Sequence, residues 1–361
     1  MTSPLDRHDL RARVQATVDA EIATQTAVLS AVGDDLTDLI GAVSRLLSGG
    51  KRLRAAFLYW GYRAAGQPDS DALIRLATAM EFFQAAALLH DDVMDGSDTR
   101  RGMPSAHRAI ATRHAEVGWS GSSVRFGEAV AILAGDLCLQ WTDELYSTCG
   151  LPAEHLTRAR RTFDTMRTQL MGGQFLDLLT AARGWDGLDT STRIVSARNV
   201  IRYKSAKYTI EHPLLIGATA GGVPQGALPQ LSRYGLDLGE AFQLRDDLLG
   251  VFGNPDATGK PAGDDLREGK RTVLIAHVLD AADTDQTAIV DKLLGQPDLD
   301  ASGVEELRTV LRDTGAVERV EARIAQLADT AGEAVAGAGG LDREAVAVLE
   351  SLITLSTTRE S

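Results

Sequence analysis

The feature that most constrains the fold is an apolar helical run that ends in carboxylates. From Ala77 to Leu89 the chain reads ATAMEFFQAAALL and continues as HDDVMDGSDTRRG. A helix apolar on nearly every face belongs at the centre of a bundle. One that finishes in Asp91, Asp92 and Asp95 places charge at the mouth of an apolar interior. Asp91 and Asp95, four apart, project from one helical face roughly 6 Å from each other. Like charges stacked in that way repel, and a bound hard cation with oxygen ligands accounts for them. The segment alone is equally compatible with a charged helix end at the surface.

Most of the remaining chain reads as helix punctuated by Gly and Pro, with no strongly strand-like alternation. Helices are expected over 5–32, 34–47, 51–65, 70–95, 104–115, 127–148, 152–182, 190–217, 225–252 and 270–280, with shorter ones over 286–294, 304–314, 317–336 and 342–355. The Gly/Pro-rich stretches at 221–229 and 253–263 are short enough for inter-helix loops. The expectation is therefore all-α: one domain over 1–361, an antiparallel helical bundle of about a dozen helices around a central apolar cavity. A chain of 361 residues that is 44% hydrophobic has enough apolar material for such a core.

A formal net charge of −13 argues against nucleic acid or an anionic membrane as partner. Cys138 and Cys149 form no C-x-x-C pattern, and a reducing cytoplasm fits them. The first residues lack the apolar core of a signal peptide, and no uninterrupted apolar run approaches a membrane span.

Four further segments carry chemistry-bearing residues. GGKRLR at 49–54 opens a helix with Lys51, Arg52 and Arg54, and free N–H groups beside cations make an anion site. MGGQFLDL at 171–178 sets Gln174 and Asp177 three apart on one face. YKSAKYTIEHP at 203–213 places Lys204 and Ser205 inside a long helix, where Pro213 should introduce a kink. Finally, FQLRDDLLG at 242–250 brings Asp246 and Asp247 to the end of another apolar helix, followed by a loop with Lys260, Asp264, Asp265, Lys270 and Arg271. Each segment alone has an ordinary surface explanation. Two aspartate-rich helix ends, each followed by cations, are explained together by one magnesium–diphosphate cluster, since Mg²⁺ takes carboxylate and phosphate oxygens at once.

The ordered set GGKRLR, DDVMDGSDTRRG, GGQFLDL, YKSAKYT and FQLRDD…GKPAGDDLREGK resembles the trans-isoprenyl diphosphate synthases, or polyprenyl synthetases, over nearly the whole chain, and most of all bacterial geranylgeranyl diphosphate synthases. The resemblance implies an isoprenoid-synthase bundle, Mg²⁺ as cofactor with three ions as in relatives, and a homodimer. It implies Lys51, Arg54 and Arg101 as contacts to isopentenyl diphosphate, with Gln84 where relatives often have His or Gln. Asp91, Asp95 and Asp246 match magnesium ligands. Arg100, Lys204 and Lys260 match the catalytic contacts to the allylic diphosphate, Ser205 stands where Thr is common, and Gln174, Gln243 and Lys270 complete the expected substrate-binding set. Gly250 departs from the pattern by replacing the third aspartate of the second motif, a change shared by many geranylgeranyl-type relatives.

The implied reaction is head-to-tail condensation of isopentenyl diphosphate with an allylic diphosphate. A growing tail is expected to run along the 70–95 helix away from the carboxylates. Ala87 and Ala86 are small, and Phe83 forms the next floor about one turn, roughly 5.4 Å, deeper. That spacing predicts a twenty-carbon product. A product of another length and a non-catalytic subunit of the same fold are the alternatives. A class I terpene cyclase would not need GGKRLR, and a di-iron bundle would need Glu-x-x-His pairs. His90 and His107 read as structural.

Overall fold

Chain order is dominated by helices: α1 Leu10–Ser30, α2 Thr37–Leu47, α3 Leu53–Arg63, α4 Asp71–Met94, a hairpin of β1 Thr99–Arg100 and β2 Met103–Pro104, α5 Ala106–Val117, α6 Ser123–Thr148 and α7 Ala153–Arg183. Then come α8 Thr190–Val200, a π-helical segment Ile201–Glu211, α9 His212–Gly221, α10 Leu228–Phe252, α11 Asp264–Arg267, α12 Val273–Ala281, α13 Thr284–Leu293, α14 Ala301–Asp313, α15 Ala316–Ala336 and α16 Arg343–Thr357. This computed structural model describes residues 3–253 and 263–358. The fold is all-α, as expected from the sequence. Two compact units are present: Met1–Arg160 with Ile216–Gly222, and Arg161–Leu215 with Val223–Ser361.

In the first unit α4 is the central helix, packed by α6, α3, α1, α2 and α5. Ser70 caps it, accepting from the Leu73 N–H at 3.2 Å. Side chains from Leu73 to Leu89 are buried around most of its circumference. Its length and mean hydropathy of 1.4 would suffice to cross a membrane, but 72% of that window is buried inside the protein. Glu81 and Gln84 interrupt the apolar run within it. Gly217 and Gly221 let their helix approach α3: a Cβ at Gly217 would lie 1.9 Å from the Leu58 carbonyl oxygen.

A short hairpin that the sequence pattern does not predict follows α4. Arg101 (φ 55°) and Gly102 (φ 73°) both take the left-handed conformation that a two-residue hairpin turn needs. Strands of two residues leave no alternation to read. The expected helix over 5–32 also begins differently: His8 and Asp9 have φ of 56° and 52°, which separates residues 4–9 from α1.

In the second unit α10 packs against the π segment, α15 and α16. Gly235 and Gly239 permit the first of these contacts, since a Cβ on either would come within 2.6 Å of Glu211 or Ala206. The Arg245 guanidinium donates to both Glu321 carboxylate oxygens at 2.6 and 2.7 Å and to the Thr357 carbonyl at 2.8 Å, tying α10 to α15 and α16. Around Pro213, where a kink was expected, the helix widens upstream: the His212 N–H donates to Lys207 O in an i→i−5 pattern. Proline cannot donate to continue the ordinary ladder, and π turns of this kind concentrate at functional sites.

Candidate active site

In the first unit, α3, α4 and the hairpin bring cationic side chains together at one end. Gly49 (φ 75°), Gly50 (φ 108°) and Arg52 (φ 54°) coil the backbone tightly before α3. Arg52 is buried, and its guanidinium donates to Glu81 Oε2 at 3.1 Å, to the Leu47 carbonyl at 2.5 Å and to Gln15 Oε1. Glu81 Oε1 accepts the Ala55 N–H at 3.2 Å. Arg52 and Glu81 therefore build the turn, while Lys51 is exposed beside it and Arg54 is buried at the start of α3.

Arg101 donates to the Leu46 carbonyl at 3.0 Å and lies 3.5 Å from where a Gly50 Cβ would stand. Burial lowers its pKa, and so do the like charges of Arg52, Arg100 and Arg54, with Glu81 acting in the opposite sense. Guanidiniums gathered this closely favour an anion among them.

The carboxylates follow helical geometry. Gln84, Ala87, Leu88, Asp91 and Asp95 form a half-exposed stripe along α4, whereas Asp92 points the other way and is only 2% exposed. Arg100 Nε donates to Asp92 Oδ1 at 2.9 Å, its Nη2 contacts the same oxygen, and Nη2 lies 3.6 Å from Asp91 Oδ2. Burial pushes the Asp92 carboxyl up, Arg100 pulls it down, and the neighbouring Asp91 charge raises it further. Asp92 thus holds a cation beside the Asp91–Asp95 stripe. Phe83 and Ala86 are fully buried, so Ala87 is the chain-length candidate that shares the carboxylate stripe.

Both histidines beside this stripe have structural partners. His90 Nε2 lies 3.1 Å from the Ile132 carbonyl, over Gly135, where any Cβ would clash with the ring at 2.2 Å. His107 is buried, with Nδ1 3.2 Å from Ser105 Oγ.

The second unit brings together α7, the π segment and the end of α10. A Cβ at Gly173 would lie 2.4 Å from the Tyr203 carbonyl carbon, so glycine there lets α7 lie against the π segment. Lys204 Nζ consequently reaches Asp177 Oδ2 at 2.5 Å, with Gln174 and Ser205 half-buried on the same two elements. On α10, Asp246 is exposed and Asp247 buried. Gln243 Nε2 donates to Asp247 Oδ1 at 2.8 Å. Burial, together with the Asp265 and Asp246 charges, pushes Asp247 up to about 8, against the pull of Gln243 and Lys270.

Lys270 bonds to Asp265 at 3.0 Å and to Glu268 at 2.9 Å. Although burial acts against the charge, those two carboxylates hold its pKa well above the usual lysine value. Its place in this structure is therefore on Asp265, which organises the loop around α11, rather than among exposed cations. Lys260 lies outside the described residues. A Cβ at Gly250 would fall 1.9 Å from Asp265 Oδ2, so the third-aspartate position of the second motif is filled by a carboxylate arriving from α11.

Sequence reasoning missed Glu81, Asp92 and Asp265 as working residues. Glu81 carries a signal, being the one acid between Ala72 and His90. Asp92 was overshadowed by its neighbours in DDVMD, and Asp265 reaches its place only through the tertiary fold.

Among the described residues no three Asp, Glu, His or Cys side chains gather into a ready-made metal cage. The donors are hard carboxylate oxygens, one or two at a time and partly exposed. That fits Mg²⁺, which keeps much of its shell for water and phosphate oxygens; it does not fit a metal needing an all-protein cage.

A family profile described as polyprenyl synthetase matches residues 37–311. A geranylfarnesyl diphosphate synthase from Aeropyrum pernix is 31% identical over 320 residues, covering 87% of this chain and 92% of that protein. A nonaprenyl diphosphate synthase from Mycobacterium tuberculosis is 31% identical over 323 residues, covering 88% and 83% respectively. Among solved structures, a geranylgeranyl pyrophosphate synthase from Corynebacterium glutamicum, complexed with isoprenyl diphosphate and magnesium, superposes with a TM-score of 0.91 at 37% identity, over 97% of this chain and 98% of that one.

Proposed function

The chain belongs to the polyprenyl synthetase family, and from that premise we propose that it condenses isopentenyl diphosphate with an allylic diphosphate to give mainly a twenty-carbon trans-prenyl diphosphate. Relatives are named for products of twenty, twenty-five and forty-five carbons, so length has to be argued from this chain's own residues. The observation that carries the reading is the Asp91–Asp95 stripe flanked by the Asp92-anchored Arg100 and the Arg52–Arg54–Arg101 group. Two separate demands, a metal-bound leaving group and a second diphosphate, account for that arrangement together.

In this reading Lys51, Arg54 and Arg101 grip the diphosphate of isopentenyl diphosphate. Arg100 and Lys204, with Lys260, bind the allylic diphosphate. Asp91, Asp95 and Asp246 hold magnesium, which when bound neutralises charge on the departing pyrophosphate. Asp177 holds the Lys204 ammonium in place until the substrate diphosphate takes over as its partner. Breaking the allylic C–O bond leaves a delocalised cation. The alkene of isopentenyl diphosphate attacks it, and the proton then lost goes to the pyrophosphate. No side-chain base is required, in keeping with the structural bonds of His90 and His107. The apolar helices that bury Phe83 and Ala86 keep water from the cation.

Ala87 beside the Asp91 stripe and Phe83 one turn below support the twenty-carbon assignment. Exposed apolar side chains on α6 (Phe126, Ile132, Leu133) and on α7 (Met171, Phe175, Leu178) support a homodimer. Two free, buried cysteines support a reducing, cytoplasmic setting. The test is pyrophosphate release with isopentenyl diphosphate and a ten- or fifteen-carbon primer. It should require Mg²⁺ and fall at least a hundredfold in Asp91→Asn and in Asp246→Asn; full activity in both variants would overturn the assignment.

A further inference from the structure

The second unit contains a cavity of about 430 Å³ whose lining includes none of the residues assigned above to prenyl transfer. We propose that it binds an amphiphilic organic anion: one phosphate or carboxylate head on a short hydrocarbon tail.

The cation side of the cavity is made by Arg193, on the first turns of α8, and Arg271, just before α12. Other half-buried arginines of this unit have partners, as in Arg245–Glu321 at 2.6 Å and Arg323–Glu240 at 3.2 Å, whereas Arg161, Arg183, Arg202 and Arg343, which lack a carboxylate among the described residues, are exposed to water. Among the described residues neither Arg193 nor Arg271 has a carboxylate partner, both are only half-exposed, and Arg193 Nε is buried with no hydrogen-bond partner. An unpaired guanidinium held partly out of water is costly, and an anionic head accepting from two planar forks relieves both.

The apolar side is made by Trp185, Leu279, Val290 and Leu294. Trp185 is 3% exposed, and its indole N–H is also buried without a partner. Volume and lining match a small-molecule site, in which apolar walls carry a few converging polar groups. Head charge is limited by Asp186 and Asp291, which stand exposed on the same lining. Two acids offset two arginines, so a single-head anion is favoured and a metal-free diphosphate is not. The proposal does not rest on the prenyl-transfer reading.

The test is calorimetric titration of the whole protein in EDTA, which removes magnesium-dependent binding. The probes are geranyl monophosphate, geranic acid, geraniol and inorganic phosphate. At least one of the two amphiphilic anions should bind in the micromolar range, and which one identifies the head. Geraniol and inorganic phosphate should bind at least tenfold more weakly. Arg193→Gln and Arg271→Gln should each weaken the anion tenfold or more, and Asp91→Asn should leave its affinity unchanged. Should an arginine variant fail to fold, hydrogen exchange on the wild-type protein replaces it, with ligand-induced protection expected over 185–193 and 287–294. Binding of neither anion below millimolar concentration, affinity indifferent to both arginines, or protection confined to other segments would overturn the proposal.

Discussion

Gly250 on α10 and Asp265 on α11 share one space: a side chain at the first would meet the carboxylate of the second at 1.9 Å. The absent third aspartate of the second motif is thus compensated sterically and electrically by a residue fifteen positions downstream, held by Lys270 at 3.0 Å. Gly250→Asp is expected to destabilise the protein by about 1–3 kcal/mol through overpacking, and like charge adds to that. Adding Asp265→Gly should recover most of the loss. Denaturant unfolding of the single and double variants checks this; a single variant as stable as wild type would show that the shared space is not limiting.

Asp92 anchors Arg100 from beneath the Asp91–Asp95 stripe. Asp92→Asn should lower kcat on the order of tenfold to a hundredfold with little change in KM for isopentenyl diphosphate, the pattern of a lost transition-state contact. Steady-state kinetics with varied isopentenyl diphosphate separates this from a general loss of binding, in which KM rises and kcat holds.

The Arg52–Glu81 pair is buried at both ends, with each side chain 3% exposed. Glu81→Gln leaves a buried guanidinium uncompensated and should cost about 3–5 kcal/mol. Because the pair fixes the turn that carries Lys51, KM for isopentenyl diphosphate should also rise. Equilibrium unfolding and kinetics on one preparation read both effects.

Chain length is set, in this account, along α4. Phe83→Ala should shift product beyond twenty carbons by opening about one helical turn, roughly 5.4 Å. Ala87→Phe should shorten it to fifteen. Ala86→Phe, expected from the sequence to shorten the product, tests the fully buried side of the same turn. Chromatography of dephosphorylated products reports all three, and unchanged distributions would place the floor elsewhere.

Stability should depend on pH through His212. Burial, its largest influence, depresses the pKa to about 4; Lys207 adds to this and Glu211 opposes it. The unfolded histidine takes up a proton near pH 6.5, so the unfolded state binds more protons below that value. Stability from this group is therefore complete above about pH 6.5 and falls as pH drops towards 4, by about 2 kcal/mol at pH 5. A His212→Gln variant should lose that component of the pH dependence in unfolding measurements.

The helical architecture was legible because apolar periodicity and Gly/Pro punctuation are local. The 70–95 expectation for α4, for instance, meets Asp71–Met94 within a residue at each end. Asp91 and Asp95 on one stripe were legible for the same reason. What was not legible depends on tertiary placement: Asp265 filling the Gly250 site, Asp92 turning inward to Arg100, and Lys270 committed to Asp265 and Glu268. The π turns carrying Lys204 were foreshadowed only by Pro213, read there as a kink. Two-residue strands around Arg101 left no pattern, and the left-handed turn is apparent only in the backbone.

The most direct test is the product formed by purified protein from labelled isopentenyl diphosphate and five-, ten- or fifteen-carbon allylic primers, with Mg²⁺ and with EDTA. A dominant twenty-carbon prenyl diphosphate that disappears on chelation is the expected result. No condensation with any primer, despite bound diphosphate, would contradict prenyl transfer as the activity of this chain.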